Sequence, residues 1–155
     1  MKKALFLDRD GTINVDIGHL HRIEDFKFVE GVPELIKKYN DKNYKVIVIT
    51  NQAGIAKKYY TEGDMHRLHV YINEELKKIG AHIDAFYFCP HHPDFTGECD
   101  CRKPKPKMIL QAAKDFNIDL KKSILIGDKD SDIKAGATAG VEKLIKNKTN
   151  YIVKF

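Results

Sequence analysis

The sequence predicts an α/β fold: a Rossmann-like, doubly wound and mostly parallel sheet in three α/β/α layers. Two observations predict it. Short apolar runs alternate with segments of helical periodicity along most of the chain, the pattern of successive right-handed βαβ units. Two of those runs, KVIVIT and SILIG, are near-continuously apolar, as strands covered on both faces are. With 155 residues, 43% of them hydrophobic, the chain is long enough for one packed domain over 1–155.

The elements follow in order. ALFLD gives a first strand over 4–8. A helix over 32–40 carries Pro33 in its first turn, where its missing N–H costs nothing. KVIVIT is a strand over 45–50. TEGD places Thr61 as the N-cap of a helix in a capping-box pattern, continued by Leu68, Ile72, Leu76 and Ile79 at helical spacing. Strands over 85–88, 123–127 and 143–145 alternate with helices over 107–116 and 130–139, and a weaker strand is expected over 151–153. Two stretches break the rhythm, 11–31 and 89–106. Each follows the carboxyl end of a strand, so each borders the crevice where open α/β sheets bind ligands.

The net charge of +5 and pI near 9.0 favour an anionic partner: a phosphate ester, nucleic acid or an acidic membrane surface. The lysines stand in separate pairs such as Lys37-Lys38, Lys57-Lys58 and Lys121-Lys122, which reads as a solvated surface rather than a nucleic-acid stripe. No apolar run approaches the roughly 20 residues of a membrane helix, and no signal peptide is legible. The expectation is a cytoplasmic protein with no membrane or nucleic-acid partner. Nothing in the sequence demands more than a monomer.

All three cysteines lie in CPHHPDFTGECDC. Cys89 and His91 are two apart, as are Cys99 and Cys101. Three thiolates and one imidazole make a closed Cys3His site for Zn²⁺, structural because it leaves no open position. His92 is the adjacent alternative to His91. The competing reading is three free thiols in an irregular loop.

Acidic residues end the strands. The first strand runs into Asp8 and Asp10, and SILIG into Asp128, Asp130 and Asp132. A carboxylate attacks phosphorus once a cation neutralises its charge, and Mg²⁺ takes one or two carboxylates plus phosphate oxygens. A second carboxylate two residues on suits general acid and base work. Gly11 permits the tight turn, and Thr12 offers a local hydroxyl hydrogen bond. Thr50 and Asn51 end KVIVIT and offer a hydroxyl and N–H groups to phosphoryl oxygens. Arg102 and Lys103 in CRKPKP supply cations. Tyr59, Tyr60, Phe86, Tyr87 and Phe88 read as core or crevice wall.

Together DRDGT, TNQ, RKPKP and GDKDSD resemble the four motifs of the haloacid dehalogenase-like phosphatases. FLDRDGTINVD, FKFVEGV, TNQAGIA, CPHHP, CDCRKP and GDKDSDIKAG resemble the heptose bisphosphate phosphatase branch of that family, over nearly the whole chain. The resemblance implies a five-stranded sheet in the order 5-4-1-2-3, and Asp8 as the nucleophile of an aspartyl-phosphate intermediate. Asp10 becomes the acid and base. Asp8, the backbone carbonyl of Asp10, and Asp128 hold catalytic Mg²⁺. Thr50 and Lys103 stabilise the phosphoryl group. Asp16, Ile17, Gly18, His19, Asn51, Gln52, Ala53, Arg102 and Lys129 line the substrate site, and Asp132 orients Lys129 or a metal-bound water. The interval from Asp8 to Thr50 leaves no room for a cap domain, so the loops must cover the site.

The implied substrate is a small phosphorylated sugar, a heptose 1,7-bisphosphate losing its 7-phosphate on the way to a nucleotide-activated heptose for lipopolysaccharide or another surface glycan. Histidinol-phosphate phosphatases share the same motifs and are the near alternative. A zinc-containing nucleic-acid binding module is the alternative from another class, but it lacks a basic stripe and an aromatic platform. A catalytically silent scaffold would have lost Asp8 or Asp10, and both are present.

Overall fold

The computed structural model describes residues 1–152. Its strands are β1 (Ala4–Leu7), β2 (Lys45–Asn51), β3 (Ala85–Cys89), β4 (Ile124–Gly127) and β5 (Lys143–Lys146). Its helices are α1 (Val32–Asp41), α2 (Ala53–Ala56), α3 (Glu62–Lys77), α4 (Pro93–Thr96), α5 (Lys107–Phe116) and α6 (Asp130–Ala139). The strands form one sheet in the order β3-β2-β1-β4-β5, and every pairing is parallel. This is the expected order read from the other edge.

Strand alternation divides the core between the two faces of the sheet. Leu5 and Leu7 of β1 join Val46 and Val48 of β2, with Leu35 and Ile36 of α1 and Leu68 and Ile72 of α3. Ala4 and Phe6 join Ile47 and Ile49, with Met108 and Ile109 of α5 and Ala135 of α6. The side chains of β1 are thus buried on both sides, which is why ALFL shows no polar alternation. Burying a side chain as large as Phe6 is worth about 2–3 kcal/mol. The edge strands β3 and β5 are only half covered.

Local chemistry sets the element ends. The Thr61 hydroxyl accepts from the Asp64 N–H, and the Asp64 carboxylate accepts from the Thr61 N–H, so the capping box forms with Asp64 as its third residue. Ile79 does not continue α3. The helix ends at Lys77, and Ile79 lies exposed in the turn that follows, where Gly80 takes a left-handed conformation. Of the strand expected over 151–153, Tyr151 and Ile152 are in no regular element, and Val153 lies outside the described residues.

The connection β1–α1–β2 leads to one side of β1, and β4 and β5 lie on the other. The switch point therefore falls between β1 and β4. Their carboxyl ends deliver Asp8 and Asp128 side by side. No cap domain interrupts β1 and β2. Between them lie a looped segment, a 3₁₀ turn at Ile23–Asp25, and α1. Among the described residues, no helix is long and apolar enough to cross a membrane.

Candidate active site

The chain turns immediately after β1. The Arg9 carbonyl accepts from the N–H groups of Thr12, Ile13 and Asn14 at 2.7–3.2 Å. Gly11 makes this turn at φ +87°, and a Cβ there would stand 2.4 Å from Asp128 Oδ2. Any other residue would be strained and would displace the neighbouring carboxylate. Thr12 does not make its expected local bond: the hydroxyl is buried and has no partner among the described residues.

Asp8, Asp128 and Asp132 bring carboxylate oxygens within 4.8 Å of one another. Lys103 is the buried cation among them. Its Nζ donates to Asp8 Oδ1 at 2.8 Å, to the Ile49 carbonyl at 2.7 Å and to Asp132 Oδ1 at 2.6 Å. Burial pushes the Asp8 carboxyl up to about 8, against the pull of Lys103 and with the help of Asp132. Burial would lower the Lys103 pKa, but Asp8 and Asp132 outweigh it and hold it above the ordinary lysine value. Burial also raises Asp128. Hydrogen bonds from Asp8 and Thr149, with the charge of Lys129, overcome this and hold Asp128 low. The cluster thus holds more carboxylate charge than its one buried ammonium offsets, and this raises Asp8.

Asp10 is held differently. Oδ1 accepts from Arg9 at 2.9 Å and Asn14 at 3.1 Å; Oδ2 accepts from Gln52 at 3.1 Å. Burial raises its pKa, but Arg9, Asn14 and Gln52 outweigh it and keep the carboxylate ionised. Its side chain lies outside the three-carboxylate cluster. Arg9 is itself fully buried, donating also to the Leu20 carbonyl at 2.8 Å and lying 3.2 Å from His69 Nε2.

A cleft of about 360 Å³ opens above these groups. Asp8, Asp10, Asp16, Gly18, His19, Asn51, Gln52, Ala53, Arg102, Lys103 and Lys129 line it, with Tyr60, Ser131 and Asp132. Most of the residues singled out in the sequence therefore share one cavity. Ile17 does not: its side chain is 55% exposed and outside the lining, because the turn at Asp16–Gly18 points it to solvent. Thr50 and Asp128 are buried beneath the cleft.

Several side chains have partners other than those expected. Asn51 clasps the Lys103 backbone, Oδ1 accepting its N–H at 3.0 Å and Nδ2 donating to its carbonyl at 3.3 Å. Gln52 is 2% exposed, its amide spent on Asp10, Thr50 and Tyr60. Asp132 receives the backbone N–H of Lys129 at 3.1 Å and grips Lys103, so its side chain steers Lys103 rather than the Lys129 ammonium. Tyr60 is buried wall as expected, whereas Tyr59 is 59% exposed.

Two supports were not legible in the sequence. Thr149 donates to Asp128 Oδ2 at 2.8 Å, and Asn150 accepts from the Asp16 N–H at 2.8 Å while its own N–H bonds the Gly11 carbonyl. The only local signal was position, just past the fifth strand.

The cysteine loop is partly as expected. Cys89, Cys99 and Cys101 bring their sulfurs within 4.8 Å of one another. Cys89 and Cys101 are joined as a disulfide with a Cα–Cα separation of 5.6 Å, and Cys99 Sγ lies 3.6 Å from Cys89 Sγ. His91 is not part of this cluster, nor is His92, whose Nδ1 instead accepts from the Asp94 N–H and caps α4. The expected Cys3His set is thus a three-sulfur cluster here.

The sequence model of the polynucleotide kinase 3 phosphatase family matches residues 3–150. A D-glycero-beta-D-manno-heptose-1,7-bisphosphate 7-phosphatase of Helicobacter pylori strain 26695 is 50% identical over 149 residues, covering 94% of this chain and 85% of its own. A D-glycero-alpha-D-manno-heptose-1,7-bisphosphate 7-phosphatase of Photorhabdus laumondii is 46% identical, covering 96% of this chain and 84% of its own. The solved D,D-heptose 1,7-bisphosphate phosphatase of B. bronchiseptica, complexed with magnesium and phosphate, superposes with a TM-score of 0.83 at 31% identity, over 89% of this chain and 76% of that one. With its acidic strand tips, its buried lysine and these relatives, the chain belongs to the polynucleotide kinase 3 phosphatase family of haloacid dehalogenase-like enzymes, in the branch of the heptose bisphosphate phosphatases.

Proposed function

We propose that this protein is a Mg²⁺-dependent phosphatase that removes the 7-phosphate of D-glycero-D-manno-heptose 1,7-bisphosphate. The observation that carries the reading is the pairing of Asp8 with Lys103 at 2.8 Å in the same cleft as a separately held Asp10. Asp8 attacks phosphorus, the phosphorus–oxygen bond to C7 breaks, and an aspartyl-phosphate forms. Asp10 gives a proton to the departing oxygen. The incoming phosphate's negative charge favours that protonated state. Asp10 then takes a proton from the water that cleaves the aspartyl-phosphate. Lys103 and Thr50 hold the transferring phosphoryl oxygens, while Arg102 and Lys129 at the cleft wall face the remainder of the anionic sugar.

The donor set fits a divalent cation. Three buried carboxylates lie together, and the buried Lys103 ammonium bonds two of them, Asp8 and Asp132, so further positive charge favours the ionised cluster. Asp8, Asp128 and the Asp10 carbonyl are the residues that would hold Mg²⁺. When bound, it neutralises the nucleophile and the substrate phosphate. The three sulfurs of the cysteine loop suit Zn²⁺ by donor type. His91 as a fourth ligand rests on sequence spacing alone. Zinc and the Cys89–Cys101 disulfide exclude each other. Metal analysis with thiol counting separates them: zinc release frees three thiols, whereas the disulfide leaves one.

Relatives named for both anomers match this chain at similar identity, so identity does not choose the anomer. The deciding experiment is phosphate release with Mg²⁺ from the α and β heptose bisphosphates, histidinol phosphate and a 3′-phosphorylated oligonucleotide. A dominant kcat/KM for a heptose anomer supports the reading. Preference for histidinol phosphate or the oligonucleotide keeps the chemistry and overturns the substrate.

A further inference from the structure

The side chain of Gln52 has four polar valences, and the structure gives three of them to chemically distinct groups. One N–H donates to Asp10 Oδ2 at 3.1 Å, and the other to Thr50 Oγ1 at 2.9 Å. Its carbonyl oxygen accepts from the Tyr60 hydroxyl. Gln52 and Tyr60 are 2% and 6% exposed, so these bonds are shielded from water and worth more than surface ones. The amide has only one good orientation. Flipped, its oxygen would face the Asp10 carboxylate, and two acceptors would meet without a proton.

Tyr60 is fixed in turn. Its ring stacks on His21 with centroids 4.9 Å apart and planes 8° from parallel. On another side it lies against Gly54, where a Cβ would sit 2.1 Å from ring atom Cε1. Gly54 in TNQAGIA thus serves a contact, not a turn. Burial keeps the phenol protonated, its pKa pushed up to about 12, and hence a donor. A tyrosine donor, an amide and two acceptors form a chain that ends on the two groups flanking the phosphoryl site.

The two Asp10 oxygens are not equivalent. Oδ1 takes two hydrogen bonds, from Arg9 and Asn14. Among the described residues Oδ2 takes one, from Gln52, leaving lone-pair capacity for a proton. Oδ2 is therefore the oxygen that carries the transferred proton, and Gln52 is the group that aims it. The same amide fixes the spacing from that oxygen to the Thr50 hydroxyl. We infer that Gln52 and Tyr60 are positioning residues: the Tyr60 hydroxyl locks the Gln52 amide, and the amide registers the Asp10 acid against the Thr50 phosphoryl contact. This rests on Asp10 acting as the acid in the proposed phosphatase reaction. It assigns Gln52 a role beneath the substrate rather than against it.

The test is leaving-group dependence. Across a series of substituted phenyl phosphates, kcat/KM reports steps through departure of the phenol. A well-placed acid flattens its dependence on phenol acidity, because poor leaving groups receive a proton. Wild type, Asp10→Asn, Tyr60→Phe and Gln52→Leu are compared with Mg²⁺ present. Asp10→Asn should give the steepest dependence. Tyr60→Phe and Gln52→Leu should fall between, with phenyl phosphate losing about tenfold more than p-nitrophenyl phosphate in Tyr60→Phe. A merely structural role lowers the active fraction and scales every substrate equally, so equal losses overturn the inference. A wild-type dependence in both variants overturns it too, while a steep Asp10→Asn leaves the acid assignment standing. If Asp10→Asn itself keeps the wild-type dependence, Asp10 is not the acid and the inference falls with that reading. Tyr60→Phe keeps the ring and its stacking, so it carries the test even where Gln52→Leu does not fold.

Discussion

The strand-tip cluster and the cysteine loop meet at Lys103, yet they are held by opposite means. Lys103 Nζ is bonded to Asp8 after β1, to Ile49 in β2 and to Asp132 in α6, and Asn51 grips its backbone. Three packed elements agree on where that ammonium sits. The loop that delivers it has little packing of its own. Its short helix α4 carries an exposed Phe95. Its hydrogen bonds are mostly local, such as His92 with Thr96 and Lys107 with Asp100, and its sulfurs are its anchor to the core. Precision in this site comes from the sheet, and the loop needs a cross-link because it cannot bury enough apolar surface to order itself.

The largest effect is expected at Asp8. Asp8→Asn should lower kcat by about 10⁴-fold or more, since it removes the nucleophile. Thermal melting should stay within a few degrees, because a neutral amide relieves a buried carboxylate. Retained turnover would remove Asp8 from the chemistry. A collapse in melting temperature would show that the cluster needs this charge for its architecture.

Lys103→Met should be worse for stability than for any single carboxylate change. It leaves Asp8 and Asp132 buried without their shared cation, a loss of about 3–5 kcal/mol by precedent for broken buried pairs. Added Mg²⁺ should recover part of it. Denaturant titration with and without Mg²⁺ measures both. A near-neutral effect would mean that these carboxylates are already protonated and need no cation.

At the loop, Cys99→Ser should reduce kcat about tenfold and leave the melting of the sheet unchanged, because Asn51 and the strand tips still hold Lys103. Loss of all activity would show that the sulfurs, not the sheet, set the ammonium's position. Unchanged activity would confine the loop to covering the cleft.

The smallest effect concerns His69, stacked on Phe86 with centroids 4.2 Å apart and buried behind Arg9. Burial, then the Arg9 charge, lowers its pKa to about 3. The unfolded chain binds a proton near 6.5 that the fold refuses. Stability is therefore full above pH 6.5 and is lost as pH falls from there towards 3. In His69→Gln this part of the acid dependence should flatten, as read by denaturant midpoints at several pH values. An unchanged profile would mean that His69 takes up its proton in the folded state.

Legibility in the sequence followed the range of the interactions. The Asp8, Asp10 and Asp128 tips, Thr61 as N-cap, and the alternation of strands with helices are local facts, set by spacing and by side-chain chemistry within a few residues. They were readable because strand tips open to the crevice whatever surrounds them. Ile79 was misplaced because the helical spacing continues for one residue into the turn at 78–80, after α3 has ended at Lys77. His91 was paired with the cysteines because spacing carries no direction, and in the fold its ring does not join the sulfurs.

Who holds whom across long stretches of chain is a matter of the closed fold. Lys103 meets Asp8 across 95 residues and Asp132 across 29. Thr149 reaches back to Asp128, and Asn150 to Asp16. Gln52 bonds Asp10, Thr50 and Tyr60. The chemical groups and the strand ends that carry them are legible without the fold, because those depend on local propensity and periodicity. Their partners depended on the order in which strands pair and on the depth at which each side chain is buried. These are properties of the closed sheet, which no local pattern encodes.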